Sequence, residues 1–167
     1  MDIKPRDLWE FGNELDSLYP PRLEEHSLNE VGLIADDFAG YATPANAEVF
    51  ARTGGDGVHF TRLTDSAQPI VMVVPMKYPD PYVVVGQSLH DFLRLGCRCG
   101  YFGLEQLVYD WKETVDWIRE GDDREDYPQL AKLAEHFKLE PHADPASHLV
   151  SLRDRYLKLA VPPPDYP

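Results

Sequence analysis

Four groups of residues in this chain have types and spacings that could do chemistry. Cys97 and Cys99 flank Arg98. On a helix their side chains would diverge by about 200°, and a zinc site needs roughly four ligands. His59 and His90 could join them only by tertiary coincidence. A bridge between the two sulfurs would close a very short, strained ring. The pair therefore reads as two buried or half-buried thiols, because cysteine outside a bridge behaves as a small hydrophobe. The second group is His136, His142 and His148, which recur every six residues. That spacing puts no two on one helical face and fits no zinc motif, so scattered surface histidines are expected. The third group, Gly54-Gly55-Asp56-Gly57, lacks the lysine and Ser/Thr of a phosphate-binding loop and the spacing of a dinucleotide fingerprint. It reads as a turn, and Asp56 alone offers too few oxygens for calcium. A Cys–His–Asp nucleophilic set can be assembled from the composition, but no local context marks one member as activated. Carboxylates on solvated faces would titrate normally, whereas acid–base catalysis needs one shifted by burial or a close partner. No catalytic residue, metal ligand or cofactor is expected, and the chain is read as a non-enzyme.

The fourth group is acidic and aromatic, and it is the most informative. Residues 104–120 are predicted as one helix, with Leu104, Leu107, Val108, Trp111, Val115 and Ile118 inside an arc of about 100°. Glu105, Tyr109, Glu113, Asp116 and Glu120 fall on the opposite side, with Trp117 at its margin. Glu113, Asp116 and Glu120 are spaced three and four apart, so they repel and cost helix stability. Asp122 and Asp123 extend the negative field beyond the helix C-terminus, where it is also unfavourable. Two readings follow. One is a solvated acidic face with Trp117 tucked against a neighbouring loop. The other is a docking face for a basic partner, anchored by Tyr109 and Trp117 and ringed by Glu105, Glu113, Asp116, Glu120, Asp122 and Asp123.

The charge is unevenly distributed. The 167 residues hold 29 Asp and Glu against 16 Lys and Arg, a formal net charge of −13. Residues 1–40 carry −7 and residues 101–140 carry −6, while 41–100 and 141–167 are each neutral. Neutralising phosphates needs the opposite sign, which disfavours nucleic acid and anionic membranes as partners. The first sixteen residues carry five carboxylates and no apolar run of signal-peptide length. Two cysteines do not make a secreted disulfide framework. A cytoplasmic protein is expected.

The elements that must position these residues follow from periodicity. A first helix is predicted over 7–19, striped by Leu8, Phe11, Leu15 and Leu18 and ended by Pro20-Pro21. A short strand is possible at 31–35. Thr43-Pro44 resembles a cap and first helical position, and three alanines follow, so 45–52 is preferred as a helix. The competing reading makes 49–53 a strand and the glycines a hairpin turn. Residues 58–63, 70–74 and 82–85 are predicted strands, joined by links too short for helical crossovers and hence antiparallel neighbours. Ser88 and Asp91 form a capping box that opens a helix through Leu89, Phe92 and Leu93. Further helices are predicted at 128–139 and 145–161, before a proline-rich tail at 162–167. The expected architecture is one α+β domain over 1–161, a mainly antiparallel central sheet of about four strands or more flanked by helices.

The motif-bearing part, residues 43–95, resembles the SUKH superfamily, the yeast cell-wall-regulator-like fold that also supplies many bacterial immunity proteins. The resemblance is carried by Pro44, Phe50, Gly54, Gly55 and the strand from Val58, then by Ile70 to Val74, and then by Ser88, Phe92 and Leu93. These are folding residues, so the resemblance brings no catalytic position. It implies a non-enzymatic binding module, often one that neutralises a cognate toxin, here a basic one such as a nuclease, met through the acidic face. The alternatives are a cytoplasmic regulatory or scaffold protein of the same fold, and a small hydrolase or metalloenzyme using Cys97, Cys99 or the histidines.

Overall fold

The computed structural model describes residues 2–18, 27–64, 68–77, 79–121 and 127–156. Its centre is a five-stranded antiparallel meander in the order β1-β2-β3-β4-β5, formed by β1 (Ile34–Ala35), β2 (Ala47–Arg52), β3 (His59–Leu63), β4 (Ile70–Val73) and β5 (Tyr82–Gly86). Helices α1 (Pro5–Leu18), α2 (Leu89–Gly96), α3 (Trp111–Glu120), α4 (Pro128–Phe137) and α5 (Pro145–Tyr156) surround it. The α+β class and the antiparallel sheet are as expected. Alternation along the strands divides the buried residues in two. Phe60, Ile70, Met72 and Val85 join the large core with α1, α2, α4 and α5 residues. Leu63, Val71 and Val73 face a smaller cluster with Ala42. The unbroken apolar run of β4 thus follows from burial on both faces.

Residues 45–52 are a correction. They form β2 within a hairpin to β3, with Ala47 opposite Leu63 and Arg52 opposite His59. Helix propensity is overridden here by pairing, and Val49 and Phe50 suit a pleated, buried surface. The register shifts between Val49 and Ala51, and the Phe50 carbonyl accepts both the Trp9 indole N–H at 2.7 Å and the Asp36 N–H at 3.4 Å. The glycine-rich segment is the hairpin turn, with Gly54, Asp56 and Gly57 at positive φ. His59 is buried beside it. Its Nδ1 donates to the Gly57 carbonyl at 2.7 Å, and its Nε2 lies 2.8 Å from the Thr43 hydroxyl. Burial holds the ring below the ordinary histidine pKa, against the Gly57 carbonyl and the Asp36 carboxylate, which favour the charged form. The Thr43 hydroxyl itself donates to the Gly40 carbonyl at 2.7 Å, and the same carbonyl takes the Thr43 backbone N–H at 3.2 Å.

The predicted helix over 104–120 is a second correction. The chain forms a 3-10 helix over Phe102–Val108, breaks at Tyr109 and Asp110, and restarts as α3. Asp110 causes the restart: its carboxylate accepts the Glu113 N–H at 3.0 Å, and its carbonyl accepts the Thr114 hydroxyl at 2.6 Å. α1, α4 and the start of α5 match their predicted positions within two residues. Only Ile34 and Ala35 of the possible strand at 31–35 are extended, after a 3-10 turn over Leu28–Val31. The predicted end of the last helix and the tail at 162–167 lie outside the described residues.

Candidate functional site

The break at Asp110 reshapes the acidic stripe. Glu113 sits in the first turn of α3, where negative charge is favoured by the helix dipole. Asp116 is paired with Arg119 at 2.7 Å, and Arg119 also approaches Asp144 at 3.9 Å. Glu105 lies on the 3-10 helix, half-buried, and Glu120 ends α3, exposed. Asp122 and Asp123 lie outside the described residues. The face keeps a negative balance, five acids against two bases over 105–120, but it is less repulsive than one continuous helix would make it.

The two aromatic residues part company. Tyr109 stands 52% exposed at the break, with the Lys77 ammonium 5.0 Å from its ring centroid. Trp117 is half-buried and lies over Gly103, where a Cβ would come within 2.5 Å of its ring. It therefore packs inward against the 3-10 helix. On one side of the break, Gly103, Gln106, Asp110, Glu113, Thr114 and Trp117 line a hollow of about 340 Å³. This lining holds two carboxylates and no cation among the described residues. On the other side, Leu107, Val108 and Trp111 form one wall of a groove of about 400 Å³ that runs over Val71, Tyr82 and Val84 of the sheet. Arg153 covers Trp111 there, 4.9 Å from its ring. Residues 102–120 thus form a ridge between an acidic hollow and a mainly apolar groove that also carries Lys77, Asp80 and Arg153.

A second constellation escaped sequence reasoning. His142 and His148 are not scattered over the surface; both meet Asp91. The His142 Nε2 lies 3.3 Å from Asp91 Oδ1, and the His148 Nε2 lies 3.0 Å from Oδ2. The imidazole rings stack with centroids 3.8 Å apart and planes 16° from parallel. All three side chains are largely covered, at 10%, 16% and 13% exposure for His142, His148 and Asp91. Burial alone would raise the Asp91 carboxyl, but hydrogen bonds from His142, His148 and the Gln87 N–H outweigh it and hold the group far below the usual carboxylate range. Asp91 is the third residue of α2, which Ser88 caps: the Asp91 N–H donates to Ser88 Oγ at 3.2 Å and its carboxylate accepts Gln87 N–H at 2.9 Å. The six-residue spacing misled because His136 and His148 lie on two different helices. His142 sits in the link before α5, so helical angles do not apply to the pair. The usable signal was Asp91, an acid that the capping box fixes in place.

Cys97 and Cys99 are buried, as their type suggests. Their neighbour Tyr101 is fully buried, its hydroxyl donating to the Leu93 carbonyl at 2.8 Å. Among the described residues no helix is long and apolar enough to cross a membrane. The chain matches no protein-family model, no curated protein and no solved structure.

Proposed function

We propose that this chain is a non-enzymatic protein-binding module whose ridge, residues 102–120, docks a basic partner protein. The observation that carries the reading is the placement of exposed Tyr109 between an acidic hollow backed by Trp117 and a mainly apolar groove. Interface hot spots favour an aromatic anchor beside pockets that exclude water. A partner's Lys or Arg would enter the hollow between Asp110 and Glu113 and meet the Trp117 ring, while an apolar side chain would fill the groove. Glu105, Asp116 and Glu120 would steer the encounter from the rim, accelerating association more than they tighten the complex. The resemblance of residues 43–95 to SUKH immunity proteins supplies the partner class: a cognate toxin in the cytoplasm, occluded by the ridge, with neither nucleic acid nor membrane as a target.

Co-expression with the product of the adjacent gene, followed by titration of the purified pair, tests this. A stable complex is expected, weakening steeply with salt. Glu113→Lys and Glu105→Lys should each weaken it about tenfold, and Tyr109→Ala by more. A captured partner that binds with unchanged affinity to all three variants would remove the ridge from the interface.

A further inference from the structure

We infer that Asp91, His142 and His148 form a binding site for a divalent transition-metal ion of the zinc class. The donor set decides the class. Two imidazoles and a carboxylate suit zinc and its neighbours, whereas calcium and magnesium take oxygen ligands. The three donor atoms lie within 4.8 Å of one another. Ligand atoms around a tetrahedral zinc ion with bonds of about 2.0–2.1 Å stand about 3.3 Å apart, and the two histidine–carboxylate separations are 3.3 Å to Oδ1 and 3.0 Å to Oδ2, each ring facing its own oxygen of the carboxylate. Both rings present Nε2 to the same carboxylate, so an ion would take the place now held by the hydrogen-bonding protons. The carboxylate is already oriented from behind by the Gln87 N–H at 2.9 Å, the outer-shell support that metal-binding carboxylates usually have. One adjustment is required. The rings are nearly parallel, and they must tilt for both lone pairs to converge on one ion. The ligands come from the first turn of α2, the link after α4, and the first turn of α5. A bound ion would therefore pin α5 to α2 and keep one coordination position for water or a partner's side chain.

Titration of the metal-free protein with zinc ions, followed by elemental analysis after gel filtration, tests the site. One equivalent should be retained, with a dissociation constant below about 10 µM. At hundredfold excess over that constant the melting temperature should rise by roughly 5–10 °C. Asp91→Asn, which keeps an acceptor for the Gln87 N–H, and His142→Ala should each remove both effects while far-ultraviolet circular dichroism stays unchanged. Cobalt substitution supplies an independent readout: a visible d–d spectrum without a thiolate charge-transfer band is expected. Substoichiometric zinc, retention by both variants, or a thiolate band assigning the ion to Cys97 or Cys99 would each overturn the inference.

Discussion

The sheet and the helices that follow it are built on different logic. Strands β1 to β5 pair in chain order, each with its neighbour, through turns and short links. The second half joins residues far apart in sequence: Asp91 meets His148 across 57 positions, and Arg94 Nε donates to the Glu140 carbonyl at 2.7 Å across 46. Charge does not follow the same division, since α2 lies in a neutral segment and α5 in another. Residues 41–100 are neutral, while 101–140 carry −6. The two halves nonetheless share one large core, in which Phe60, Ile70 and Met72 of the sheet cluster with Leu93, Leu130 and Leu149 of the helices. The lesson is that local pairing is written in adjacent residues, whereas a site assembled at a distance is written only in the tertiary structure.

Phe92 is where the two halves meet, and removing it should break the division most severely. Its ring lies 4.8 Å from Phe60 and 5.8 Å from Phe50 on the sheet side, and 5.0 Å from Tyr101 on the other. It is fully buried. Phe92→Ala should cost about 3–5 kcal/mol in urea unfolding, with both halves lost in a single transition. A cost under about 1 kcal/mol, or two separate transitions, would show that the halves are not joined through this ring.

Legibility in the sequence tracks this division. The three strands from Val58 to Val85 announce themselves by alternation or continuous burial, and their short links dictate antiparallel order. Residues 45–52 misled because alanines and a Thr-Pro pair favour a helix locally, while the partner that makes them a strand lies across the hairpin. The acidic stripe was legible as composition but not as geometry. Asp110 followed by Glu113 is a capping pattern, and recognising it would have divided the helix and moved Glu113 to a favourable first turn. The meeting of Asp91 with two histidines had no local signature, because the chain between Asp91 and His142 runs through the 3-10 helix, α3 and α4.

The sheet half contains its own titrating group, which sharpens the comparison. His59 is held neutral by burial, so its folded pKa lies below the unfolded value. The folded state then binds fewer protons than the unfolded one, and the stabilisation is present above the ordinary histidine pKa and lost as pH falls through the folded value. At pH 8, His59→Gln should cost about 1–3 kcal/mol, because the Gly57 carbonyl loses its well-placed Nδ1–H donor while the Thr43 hydroxyl keeps only the Gly40 carbonyl. The difference from the parent chain should narrow on lowering the pH to 5. A difference that stays constant across this range would mean that another group governs the acid limb.

The smallest effect concerns the ridge. Asp110 ends one helical segment and starts the next, and its carboxylate satisfies the Glu113 N–H, one of the α3 donors left without a partner inside the helix. Asp110→Ala should destabilise the chain by about 1 kcal/mol, and Asp110→Ser should recover most of it, since serine caps about as well. The two substitutions separate structure from recognition. Both remove one carboxylate from the hollow beside Trp117, but only alanine frees the start of α3. Partner affinity should therefore fall about equally in the two variants, while stability falls in one. If affinity instead follows stability, the role of Asp110 is to hold the ridge in shape, and the acidity of the hollow then rests on Glu113.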